Sequence, residues 1–264
     1  WYRLSKHHEP ALLNELRTSV KLAANALGSG LVNAKAGNNE LRNQLQADEA
    51  ALDELQRQIM RFLYRSIVLF SLEDRELLGI NPREGQSTEA FEAARSRYQH
   101  EFSTQRFRKN TGVEHNTKGN NYFREMKNVH RSLNEGNDEL ALPALGSSLF
   151  DSEATPLLND ANLLNADYLS MMQHLSSFGG NGESTRPIHW KSLLSHMGKV
   201  NEGLMQFRPK YDVQNDSFEL VNLAGNDRKL SGSYYTPIEL VDAMVTINLD
   251  PQITEAKHQA EHRA

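Results

Sequence analysis

The sequence contains no cysteine. That excludes a disulfide-stapled fold, a thiolate zinc site and a cysteine nucleophile. Long apolar runs are missing too. The longest, Ile67-Val68-Leu69-Phe70, is far short of the roughly 20 residues that span a bilayer, so no membrane association is expected. No signal-peptide pattern opens the chain, and a cytoplasmic location is the expectation. Basic charge is not in excess either: the net charge is −5 over 264 residues. Nucleic-acid affinity therefore cannot rest on bulk charge and would need a local patch. Apolar residues make up 38% and the mean hydropathy is −0.63, which predicts a thin core with long polar connections. The chain opens on Trp1 and ends in the polar stretch Glu255 to Ala264, as a piece of a longer protein would.

What is present is helical periodicity. Leu12, Leu13, Leu16, Val20, Ala23, Ala24 and Leu27 form a one-faced stripe that begins near Pro10, with Gly28-Ser29-Gly30 as its expected stop. The strongest stripe runs from about Ala47 to Leu78 through Leu52, Leu55, Ile59, Phe62, Leu63, Ile67 and Phe70; its density predicts the central core helix. Further helices are expected over Glu89 to Arg108, Tyr122 to Leu133, Ala166 to Phe178, Lys191 to Phe207 and Thr236 to Leu249. Asn110 to Asn121 reads as a surface loop, and Leu142 to Asp151 as a loop that keeps its apolar residues and so packs onto something. Weak alternation from Val213 to Ala224 suggests one strand pair. The expected fold is mainly α: an irregular helical domain over residues 1–212, then a linker with one small hairpin near 213–224 and the start of a second domain over residues 213–264.

Catalytic and metal-binding patterns are scarce. His7-His8 is an adjacent pair that diverges on a helix, and His174, His189 and His196 lack acidic partners at helical spacing. No glycine loop opens a helix as a phosphate cradle does, and no nucleophile elbow occurs. Arg106-Phe107-Arg108-Lys109 gathers three cations around one aromatic. It reads either as a solvated helix end or as a phosphate clamp on double-stranded DNA. Arg57, Arg61 and Arg65, four residues apart beside the apolar stripe, are expected to cover the core edge or pair with neighbours.

The segment from Arg228 to Val241 carries more. Arg228-Lys229-Leu230-Ser231-Gly232-Ser233-Tyr234-Tyr235-Thr236-Pro237-Ile238-Glu239-Leu240-Val241 is a glycine-hinged turn that feeds two tyrosines into a capped helix start. Free N–H groups there favour a carboxylate, and the aromatics offer an apolar wall. The string resembles the R-K-x-x-G-x-Y-Y-T-P-x-x-L-V segment of adenine-N6 DNA methyltransferases of the type IIG restriction–modification group and related phage-defence methylases. Three upstream blocks are similar to the same proteins. Arg61-Phe62-Leu63-Tyr64-Arg65 through Glu73-Asp74-Arg75 resembles their L-Y-R…E-D-R helix. Leu142 to Asp151 resembles their L-P-x-x-G-G-x-L-F-D loop, with Ser147 at the second glycine. Met197 to Met205 resembles an L-G-x-x-Y-E-x-L-L block, with Asn201 in place of the aromatic.

The resemblance implies a protein that methylates adenine N6 from S-adenosylmethionine after flipping the base. It implies that Tyr235, Thr236 and Pro237, with Tyr234 beside them, line the cofactor pocket, and that the helical region scaffolds the catalytic domain and helps hold DNA, alone or with other restriction or defence subunits. The glycine-rich cofactor turn and the N-P-P-Y string of that family do not occur in this sequence. The expectation is therefore a helical region leading into an α/β methyltransferase core that lies outside the chain, inactive by itself. The alternative is a non-catalytic scaffold or split subunit that binds DNA or a partner protein.

Overall fold

A computed structural model of the chain describes residues 2–79, 82, 85–110, 117–179, 185–222, 251 and 254, without the side chains of residues 2–8, 109 and 110. The chain divides into two compact units, Trp1–Ala224 and Gly225–Ala264. The first is mainly helical with two small antiparallel hairpins. Among the described residues no helix is long and apolar enough to cross a membrane.

Two long helices form the spine, α1 (Tyr2–Val32) and α3 (Glu49–Asp74), with the short α2 (Asn39–Ala47) between them. The apolar stripes read from the sequence are the ones that are buried. Leu16, Val20 and Leu27 of α1 and Leu55, Ile59, Phe62, Leu63, Ile67 and Phe70 of α3 are all almost fully inaccessible to water. The helix expected over 47–78 is α3, and the α2 that precedes it was not expected; the break between them comes from Asp48. It adopts an extended conformation, and its carboxylate accepts the free N–H of Ala50 at 2.9 Å, as a helix N-cap does. The helix ends at Asp74, and Glu76 then takes a left-handed φ of 54°.

The segment expected as one helix over Glu89 to Arg108 is α4 (Thr88–Arg97), a single π turn (Tyr98–Phe102) and α5 (Thr104–Asn110). Beyond it come α6 (Tyr122–Glu135), a one-turn α7 (Pro156–Asn159) and α8 (Asn165–Ser176). Phe62 of α3 stacks obliquely on Phe123 of α6 with ring centres 5.0 Å apart. The apolar loop packs as expected: Leu142 and Phe150 are buried. A minimal hairpin, β1 (Ser177–Phe178) with β2 (Arg186–Pro187), leads to α9 (Trp190–Leu193) and α10 (Met197–Leu204).

Two expectations need correction. Gly28-Ser29-Gly30 does not stop the first helix, which runs on to Val32 and begins upstream of Pro10. These glycines serve close packing. A Cβ on Gly28 would fall 2.2 Å from the Phe218 ring, and one on Gly30 would fall 2.5 Å from Leu163. The second correction is the sheet: β1–β2 is a hairpin that was not expected, and the hairpin expected near 213–224 begins earlier in the chain. Its strands are β3 (Phe207–Asp212) and β4 (Ser217–Asn222), and Val213 to Asp216 form the turn. Asp212 closes that turn by accepting the N–H groups of Gln214 and Asn215, a side-chain preference that outweighs the weak alternation at Val213.

The hairpin is seated on α1 by side chains one turn apart. Ser29 Oγ accepts the Phe218 N–H at 3.0 Å and donates to the Phe218 carbonyl at 2.9 Å, and Asn25 Oδ1 accepts the Leu220 N–H at 2.9 Å. Gly28→Ala should therefore invert the usual helix preference. Alanine favours an exposed helix by up to about 1 kcal/mol, but here the added methyl should displace Phe218 and destabilise the fold by about 1–3 kcal/mol. Urea unfolding of the two proteins measures the sign.

Candidate functional site

Three of the sequence blocks singled out above meet around one turn of α3. Arg65 is 4% exposed. Its Nε donates to the Leu149 carbonyl at 2.5 Å, one terminal nitrogen to the Asp151 carbonyl at 2.6 Å and the other to Thr155 Oγ1 at 3.1 Å. The Arg of the L-Y-R block thus holds the L-F-D loop by its backbone. Burial and the neighbouring Arg61 charge bring the Arg65 guanidinium down to about 10, with Asp151 pulling the other way, so it stays charged at neutral pH. Beside it, the Tyr64 hydroxyl hydrogen-bonds Asn201 Oδ1 on α10. The Asn201 amide supplies the partner that a largely buried phenol needs. Burial pushes the Tyr64 hydroxyl well above its ordinary value.

The loop held by Arg65 closes over His130 of α6. The imidazole lies 5.0 Å from the Phe62 ring and 5.9 Å from the Phe150 ring, and neither nitrogen has a hydrogen-bond partner. Burial, with the Arg65 charge adding to it, holds His130 well below its usual range, so it is neutral in the folded protein. The next segment is tied by Lys127, whose Nζ donates to the carbonyls of Leu158, Asn159 and Ala161 at 2.9, 2.6 and 2.9 Å. Neither role was visible in the sequence, since both residues stand in an ordinary amphipathic pattern.

A second polar centre lies at the C-terminal end of α3. Glu73 accepts the Tyr98 hydroxyl at 2.6 Å and the Thr104 N–H at 2.8 Å, and the Thr104 hydroxyl donates to its other oxygen. Burial pushes its carboxyl up, while the bonds from Thr104 and Tyr98 and the Arg108 charge pull it back. Arg108 lies 3.0 Å from Asp74 and 3.6 Å from Glu73, with its guanidinium over the Phe70 ring. An open cleft of about 1110 Å³ borders this centre, lined among others by Glu73, Asp74, Arg95, Tyr98, Arg108 and Lys191. Cations and carboxylates are mixed along it, so it offers no field of one sign.

The residues expected to clamp phosphate are not gathered for that task. Arg106 pairs with Glu125 at 3.1 Å and lies over Phe107 and Tyr122, whereas Arg108 faces the acidic end of α3. Each has a carboxylate beside it. The Lys109 side chain, and all of Tyr234, Tyr235, Thr236 and Pro237 with the expected helix from Thr236, lie outside the described residues. Two arginines of α3 behave as expected, Arg57 pairing with Glu54 at 2.6 Å and Arg61 donating to the Ala154 carbonyl at 3.2 Å, whereas Arg65, expected at the core edge with them, is buried. Among the described residues no cluster of metal-ligating side chains occurs. Comparison of the sequence with known protein families and curated proteins, and of the fold with solved structures, finds no match.

Two measurements check this arrangement. Arg65→Ala strands two carbonyls and a hydroxyl, and should cost at least about 3 kcal/mol in urea unfolding; Arg65→Lys should recover little, because a single ammonium nitrogen cannot reach the separate positions that the three nitrogens of the planar guanidinium occupy. His130 should give the protein an acid-sensitive limb. Its folded-state pKa lies below its unfolded one, so the unfolded chain takes up the proton first and stability falls as pH drops below about 6.5. His130→Leu should remove up to about 1.4 kcal/mol per pH unit of that fall, while leaving stability at pH 7.5 unchanged or higher. An acid limb as steep in the variant as in the parent would assign the sensitivity to other groups.

Proposed function

We propose that this chain is the helical scaffold of an S-adenosylmethionine-dependent adenine-N6 DNA methyltransferase of a restriction or phage-defence system. The observation that carries the reading is the string from Arg228 to Val241, which meets every fixed position of the R-K-x-x-G-x-Y-Y-T-P-x-x-L-V segment. The meeting of the three upstream blocks supports it. Residues far apart in sequence, Arg65 with Leu149 and Asp151 and Tyr64 with Asn201, form direct hydrogen bonds, which gives those blocks one shared structural reason to occur together.

In this reading the helical unit carries the polypeptide to a cofactor lip made by Tyr235, Thr236 and Pro237, with Tyr234 adjoining. The lip covers one side of the methionine part of S-adenosylmethionine, and the ribose and adenine contacts come from the catalytic core. Pockets that bind well bury about 70–90% of a ligand of this size. The 264-residue chain should therefore give no heat on titration with S-adenosylmethionine.

The test is made on the complete protein that contains this chain. Its expression should leave N6-methyladenine at a defined short sequence in host DNA, read by direct sequencing. Thr236→Val should weaken cofactor binding by about 1–3 kcal/mol through an unpaired polar partner. Absence of adenine methylation, or unaltered cofactor affinity in Thr236→Val, would overturn the proposal.

A further inference from the structure

We propose that the outward face of α6 is a contact surface for the phosphate backbone of double-stranded DNA, made by Arg124 and Arg131; the choice of DNA as partner rests on the methyltransferase reading above. The inner face of this helix is fixed in the core through Phe123, Met126, Val129, His130 and Leu133. That leaves Arg124, Asn128, Arg131 and Glu135 exposed along the opposite side. Arg124 and Arg131 are seven residues apart, a rise of about 10 Å with a divergence of only about 20° around the axis. Both long side chains therefore leave the surface in nearly the same direction.

Their electrostatic situation separates them from the ion-paired arginines of the unit. Arg42, Arg106, Arg108 and Arg186 each sit against a carboxylate, of Asp216, Glu125, Asp74 and Glu15 respectively. Among the described residues Arg124 has no ion-pair or hydrogen-bond partner. The acid next to it in sequence, Glu125, is turned the other way, accepting from Asn121 at 2.5 Å and from Arg106 at 3.1 Å. Arg131 meets Asn128 Oδ1 at 2.9 Å, a neutral partner that orients the guanidinium and leaves its charge intact. Lys127, between the two, is anchored on its three carbonyls and adds positive potential. Against these stand Asp160, close enough to act on Lys127, and Glu135 at the C-terminal end of the face.

Two arginines rooted about 10 Å apart on one helix face suit a regular polyanion. A DNA strand presents a phosphate every 3.4 Å or so along the duplex axis, so a pair with this spacing finds acceptors at any sequence and positions the duplex without reading it. The interaction needs no reorganisation of the core, because the opposite face of the helix is held by Phe62 and Phe150 through Phe123 and His130.

The experiment is a salt titration of the 264-residue chain against a short fluorescent duplex, followed by anisotropy. Each phosphate contact contributes about 0.9 to the slope of log affinity against log salt. Arg124→Ala/Arg131→Ala should therefore lower that slope by about 1.8, with unchanged circular dichroism. Lys35→Ala/Lys210→Ala, which removes the same charge from exposed positions elsewhere, should leave the slope as it was. Failure of the parent chain to bind duplex, an equal slope in the α6 variant, or tighter binding to a fluorescent polyglutamate peptide than to duplex would each overturn the assignment. The outcome is separable from the methylation test. Adenine methylation with an unchanged slope removes the α6 face and leaves the methyltransferase reading standing, and a lowered slope without methylation does the reverse.

Discussion

The fold depends on one buried guanidinium. Arg65 occupies a position on α3 where the packing around it is apolar, and an unpaired charge there would cost several kcal/mol. Its three acceptors make the position tolerable, and all three come from the stretch between Leu149 and Thr155. The charge therefore selects one conformation of a loop that has little regular structure of its own. With the loop fixed, Phe150 becomes part of the core and covers His130, and the following turn arrives where Gln58 Oε1 accepts the Leu157 N–H and Lys127 accommodates the last carbonyls. The polar interaction comes first in this chain of dependence and the hydrophobic packing follows from it.

Elsewhere the order is reversed, and packing dictates composition. Gly28 and Gly30 lie on a buried side of α1 because Phe218, Leu163 and Asp167 approach the helix backbone too closely for a side chain. Gly203 of α10 is under the same constraint from the Arg17 guanidinium, which would lie 1.9 Å from an added Cβ. In each case the helix accepts a residue of poor intrinsic propensity, and the close contact compensates.

Helical class, the main apolar stripes and the packed character of the Leu142–Asp151 loop were legible in the sequence, because they follow from periodicity and from the rarity of exposed apolar loops. The helix ends were less so. Gly28-Ser29-Gly30 looks like a stop signal when only local preference is considered, and nothing local reveals that Phe218, 190 residues away in the chain, needs the space. The first strand of the hairpin escapes the sequence reading because Pro209 argues against a strand, although Phe207, Pro209 and Tyr211 alternate with Arg208, Lys210 and Asp212. Of the polar centres, Arg65 and Glu73 fell inside a block singled out by resemblance. Lys127, His130 and Asn25 did not, since their roles depend on which carbonyl, ring or strand reaches them from elsewhere. Arg106 and Arg108 are conspicuous as a cluster, yet positions two apart on a helix point to nearly opposite sides, and the fold sends the two to different carboxylates.

The seating of the β3–β4 hairpin on α1 has a consequence for association. A two-stranded sheet leaves two open edges, each a template for another strand. Here the outer edge of β4 is occupied, since the N–H groups of Phe218 and Leu220 are taken by Ser29 and Asn25. The Leu220 N–H points toward α1, so the opposed Pro209 stands at a non-hydrogen-bonded pair, and its missing donor blunts the outer edge of β3. One side of this small sheet is thereby closed to backbone pairing and the other is interrupted at its middle, which disfavours edge-to-edge aggregation even though the strands are short and partly exposed.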